Sequence, residues 1–107
     1  MISEERLEKA LRFLAETDEK AAELKVQVHR KSYIVDLSRK REFLKAEAST
    51  IETKKAIAET SVQVRDSITE ELDAELEWEK LRAKRATEEL IVEVFRTLEA
   101  SRRQGRI

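Results

Sequence analysis

His29 is the single histidine of the sequence, and cysteine is absent. Zinc is held by Cys, His and carboxylate ligands, usually four of them. One histidine without a thiolate or a second imidazole does not assemble that set, so His29 reads as a surface or seam residue. Asp and Glu are plentiful, with 23 in 107 residues. On highly charged helices such carboxylates are solvated or ion-paired rather than arranged as acid–base couples. There is no Gly-rich phosphate loop, no nucleophile elbow and no His-Glu-x-x-His pair. The expectation is a protein that is not an enzyme, with no cofactor and no metal.

Basic clusters carry the remaining chemistry. Arg39-Lys40-Arg41 with Lys45, the run Lys80 to Arg85, and the ending Arg102-Arg103-Gln104-Gly105-Arg106 could each reach phosphates. Seven bases stand between Lys25 and Lys45 against two acids, Asp36 and Glu42. Seven acids and no base stand between Asp66 and Glu79. The first cluster is therefore expected to face acidic residues of its own chain. The ending is freer, so Arg102, Arg103 and Arg106 are the candidate nucleic-acid contacts. Trp78 and Tyr33 could stack on bases. At helical spacing they read first as packing residues.

The elements that position these groups are helices. Pro is absent, Gly occurs once, 42% of residues are charged and 5% aromatic, a balance typical of long helices and coiled coils. The net charge of −1 gives no overall attraction to nucleic acid or anionic membrane. No apolar run reaches the length of a membrane span and no signal peptide is legible, so a cytoplasmic protein without membrane contact is expected. Disorder is the competing reading of so much charge, but the apolar residues recur periodically.

Ser3 caps a first helix over about residues 4–47, with Ile2 and Leu7 placed for a hydrophobic staple. Thr17-Asp18-Glu19 is its weakest stretch, since Thr and Asp prefer caps to helix interiors. A kink could form there; the helix is read as continuing. Ser49-Thr50-Ile51-Glu52 has capping-box spacing for a short helix over 51–59. Thr60-Ser61-Val62-Gln63 has the same spacing for a long helix over 61–102, followed by a tail over 103–107. About 40 helical residues would extend roughly 60 Å. Two apolar rows run along this last helix. One is Ile68, Leu72, Leu76, Ala83, Ala86, Leu90, Val94 and Leu98, broken by Glu79. The other is Ala74, Trp78, Leu81, Val92 and Phe95, interrupted by Arg85.

The fold expected is all-α: an elongated, antiparallel, coiled-coil-like helical hairpin forming one domain, with a long helix, a short connector helix and a long helix. Antiparallel pairing lays the basic stretch beside the acidic one and the chain ends beside each other. A two-helix hairpin cannot surround its own apolar rows. Leu7, Leu11, Phe13, Leu14, Leu90, Ile91, Val94, Phe95 and Leu98 are therefore expected to bury against a second copy, as a homodimer forming a four-helix bundle.

The run Leu81-Arg82-Ala83-Lys84-Arg85-Ala86-Thr87-Glu88 and the run Val94 to Gly105 resemble the ending of small helical phage and prophage proteins. The opening Leu11-Arg12-Phe13-Leu14-Ala15-Glu16-Thr17-Asp18-Glu19 is similar to theirs as well. Those proteins commonly carry Trp where this chain has Phe95. The resemblance covers about a third of the chain, at its two ends, and carries no residue-level activity. It implies a phage or prophage origin in a bacterial host, and an accessory role near recombination and single-strand annealing, acting through protein–protein contacts or on single-stranded DNA. A structural or chaperone-like adaptor, as in phage assembly, with an unknown protein partner and no nucleic-acid role, is the alternative.

Overall fold

The computed structural model describes residues 1–105. It is all-α, with a long helix α1 (Glu4–Lys45), a short helix α2 (Ile51–Glu59) and a long helix α3 (Val62–Gln104). No strand occurs among the described residues.

Each helix start has a local cause. The Ser3 hydroxyl accepts from the Arg6 backbone N–H at 3.1 Å, and Glu4 and Glu5 fill the first turn of α1, where the positive end of the helix dipole favours acids. Thr50, in an extended conformation, caps α2 by accepting from the Thr53 N–H at 3.1 Å. The cap is thus one residue later than the Ser49 spacing predicts. The same shift occurs at α3. Ser61, not Thr60, is the cap: its hydroxyl accepts from the Val64 N–H at 3.2 Å. The Thr60 hydroxyl instead donates to the Ala56 carbonyl at 2.9 Å and closes α2. A single residue, Thr60, therefore ends one helix while its neighbour starts the next.

The last helix also differs at its end. Arg103 and Gln104 are helical, not the start of a tail, and the Gly105 N–H still donates to Ser101 O at 2.9 Å. Gly105 has no positive φ, so it does not form the left-handed cap that would stop a helix earlier. At the other break, α1 stops at Lys45, where the Ala46 N–H is shared between the Glu42 and Phe43 carbonyls. At Thr17-Asp18, α1 continues without a break. Thr17 returns its hydroxyl to the Phe13 carbonyl at 2.8 Å, so the group that competes with helix formation is spent inside the helix.

The chain divides into two compact units. The first contains Met1–Ala22 and the described part of Glu79–Ile107; the second contains Glu23–Trp78. In the first, Arg6 pairs with Glu88 and Asp18 with Arg85, so the number rises along α1 as it falls along α3 and the helices are antiparallel. The less exposed residues include a row of Leu7, Ala10, Leu14, Thr17 and Ala21 on α1 and one of Leu81, Arg85, Glu88, Val92, Phe95 and Glu99 on α3, with Arg6, Phe13 and Ile91 beside them. In the second unit Lys31 pairs with Glu70. Leu24, Val28, Lys31, Val35, Ser38 and Glu42 form the covered row of α1, and Val64, Ser67, Glu71, Ala74 and Trp78 that of α3, with Gln27, Phe43 and Ile68 half-buried beside them. These rows follow alternating steps of three and four, the spacing of a coiled-coil seam.

The fully covered part of this seam is small. Ala10 and Ala21 in the seam, with Ala46 and Ala58 outside it, account for much of the buried apolar set, and among the described residues Val64 is the largest side chain fully enclosed. Alanine lets two helices approach closely but hides little apolar area. Because Ser61 caps α3, Ser61→Ala should lower stability by about 1 kcal/mol, read from the urea midpoint. Thr60→Ala should cost only a few tenths of that, because no N–H of α3 depends on it.

Candidate interaction surface

The nine residues expected to meet a second copy separate into two groups. Leu7, Phe13, Leu14, Ile91 and Phe95 are half-buried within the first unit. Leu11, Leu90, Val94 and Leu98 remain between 38% and 58% exposed. The physical reason is the choice of row on α3. The row Trp78, Leu81, Val92, Phe95 with Arg85 among it keeps the strict three-four spacing and lies in the seam. The row Leu90, Val94, Leu98 steps by four and drifts around the helix, out of the seam at Leu90 and back toward the start of α1 at Leu98. Ile2 adds to the exposed region, lining with Phe95 and Leu98 an open hollow of about 380 Å3.

Arg85 is the residue that periodicity alone misplaces. It looks like a polar interruption of an apolar row. In the structure its side chain is only 18% exposed and reaches across to α1. One terminal nitrogen donates to the Leu14 carbonyl at 2.9 Å and to the Thr17 hydroxyl at 2.6 Å. The other donates to the Asp18 carboxylate at 2.7 Å. The guanidinium fork therefore fixes the register of α3 on the very stretch of α1 that has the weakest helix propensity. Arg6 makes a second cross-link, donating to Glu88 at 2.8 Å. That hydrogen bond raises the Arg6 pKa above its ordinary value. The other Glu88 oxygen is buried without a partner.

The candidate nucleic-acid contacts are placed differently from a free tail. Arg102 and Arg103 are exposed on the last turn of α3, and Arg102 donates to Glu99 at 3.3 Å one turn earlier. Arg106 lies outside the described residues. His29 is exposed on α1. Among the described residues no group of three or more His, Asp or Glu could hold a metal ion, and no helix is long and apolar enough to cross a membrane.

The seam polar groups make a measurable distinction. Arg85→Ala removes three charge-assisted bonds and leaves a gap in the seam, and should destabilise the chain by about 1–3 kcal/mol. Arg85→Leu restores apolar packing at a seam position and should be near neutral in stability, with the difference between the two read by urea denaturation. A comparison with protein-family models, curated proteins and solved structures finds no match to this chain.

Proposed function

We propose that the chain is a non-enzymatic interaction protein that works as a homodimer, closed through the exposed apolar row of its first unit. The observation that carries this reading is the exposure of Leu11, Leu90, Val94 and Leu98 beside half-buried Ile91 and Phe95. Leu90, Val94 and Leu98 stand one turn apart on α3, and an exposed apolar row of this kind suits an interaction site. Each of these side chains is about half exposed, so covering one contributes roughly 1 kcal/mol. A second copy brings the same row, which suits a two-fold contact in which the same patch serves on both sides.

A bacterial cytoplasmic setting and a phage accessory role rest on the resemblance of the two chain ends. An action on single-stranded DNA rests in addition on the exposed Arg102 and Arg103. It entails salt-sensitive binding of a labelled oligonucleotide that disappears when Arg102, Arg103 and Arg106 become Ala. Absence of binding at low salt removes the DNA role and leaves a protein adaptor.

The dimer itself is tested by sedimentation equilibrium of the full chain. The triple variant Leu90→Ser, Val94→Ser, Leu98→Ser removes the row from both copies and should weaken dimerisation by roughly ten-thousandfold while the helical circular dichroism persists. A monomeric wild-type chain at all concentrations would end this reading.

A further inference from the structure

The basic and acidic stretches of the second unit do not neutralise each other within the chain. Lys31 and Glu70, at 3.1 Å, form the one ion pair between them among the described residues. Arg39 turns instead to Glu59 of α2, with two hydrogen bonds of 3.0 Å. Lys25, Arg30 and Lys40 of α1, and Asp73 and Glu75 of α3, are exposed. Among the described residues none of these five has an opposite charge within 4.0 Å. Two complementary sets of charge are thus left facing outward.

Each set flanks its own apolar residues. On α1, Val26, Arg30, Tyr33, Leu37, Lys40 and Leu44 follow steps of four, three, four, three and four. That is a second seam-type spacing on the side of the helix away from the covered row. Tyr33 is 64% and Leu44 83% exposed. The row ends in an open groove of about 590 Å3, where Lys40, Phe43 and Leu44 meet Lys55 and Ala58 of α2. On α3, Leu72 and Leu76 are more than half exposed, with Asp73 and Glu75 beside them. The covered rows of α1 and α3 face each other inside the unit, so the outer rows point away from each other. One copy cannot join them.

We propose that a second copy of this chain joins them: the basic outer row of α1, through Tyr33, Leu37 and Leu44, docks on the acidic outer row of α3 of a neighbouring copy, through Leu72 and Leu76. The contact is head-to-tail, since two different surfaces meet. It leaves one free row of each kind on every pair and so propagates, unlike the two-fold closure of the first unit. Charge sets which rows meet: like rows repel, and unlike rows attract. Salt weakens the attraction because the flanking charges are exposed.

Sedimentation equilibrium of the full chain at low and high salt decides the matter. At low salt the average mass should climb past that of a dimer as concentration rises, and added salt should return it to the dimer. The reversals Arg30→Glu, Lys40→Glu on one row, and Asp73→Lys, Glu75→Lys flanking the other, should each abolish the climb. An equimolar mixture of the two variants should restore it, because each then offers the row that the other lacks. A wild-type mass that stops at the dimer, or growth indifferent to salt, overturns the proposal, and the wild-type salt series decides even if a reversal costs helicity. A labelled single-stranded oligonucleotide bound by the basic row, with no growth in mass, overturns it in favour of nucleic acid. The variant Leu90→Ser, Val94→Ser, Leu98→Ser separates the two contacts. Salt-sensitive growth that persists in it supports the lateral contact alone, whereas a salt-insensitive wild-type dimer supports the first-unit contact alone.

Discussion

A helix packed against a single neighbour can hide only one stripe of its surface. In both units of this chain the long helices carry more apolar rows than one neighbour covers, and most of what the structure leaves open follows from that limit. The covered row keeps the three-four spacing of a seam, Leu7 to Ala21 and Leu24 to Glu42 on α1, as does the exposed row from Val26 to Leu44 on its far side. Rows that step by four drift away from it and stay in contact with solvent. The exposed leucines of α3 are therefore consequences of geometry rather than of a poor core.

The seam itself is unusually polar. Thr17, Arg85, Glu88 and Glu99 occupy covered positions in the first unit, and Lys31, Ser38, Glu42, Ser67 and Glu71 in the second. Such residues contribute less than leucine would to the free energy of packing, and a partly buried carboxylate costs something when one oxygen has no donor, as at Glu42 and Glu88. What they supply is register. Arg85 satisfies its fork where Leu14, Thr17 and Asp18 present a carbonyl, a hydroxyl and a carboxylate within about one turn of α1. Sliding α3 by a heptad would keep apolar rows in contact and lose all three bonds. A seam with so few fully buried large side chains has little shape to resist such a slip, and the polar contacts add to the alignment.

Charge patterning tells a parallel story at longer range. The opposite signs of residues 25–45 and 66–79 suit the antiparallel pairing seen in the second unit, yet Lys31–Glu70 is the ion pair that joins the two stretches among the described residues. Complementary net charge selects a partner helix without requiring each charge to find a mate. The unpaired remainder on the outer faces stays available for contacts of the same kind with other molecules.

The sequence by itself determined the helix content, the long-short-long order and the antiparallel sense. These follow from properties that act within a few residues or over a whole segment: missing Pro, apolar periodicity, capping hydroxyls and opposed charge. It located caps to within a residue but could not choose between Thr60 and Ser61, because either hydroxyl can serve and the choice depends on where the preceding helix ends. It identified Leu90, Val94 and Leu98 as apolar and clustered. It could not say which of two rows on α3 would be spent inside the chain, since a helix in isolation presents both equally. Only the tertiary structure decided that, by matching the spacing on α3 to the spacing on α1 and by giving Arg85 a place to dock.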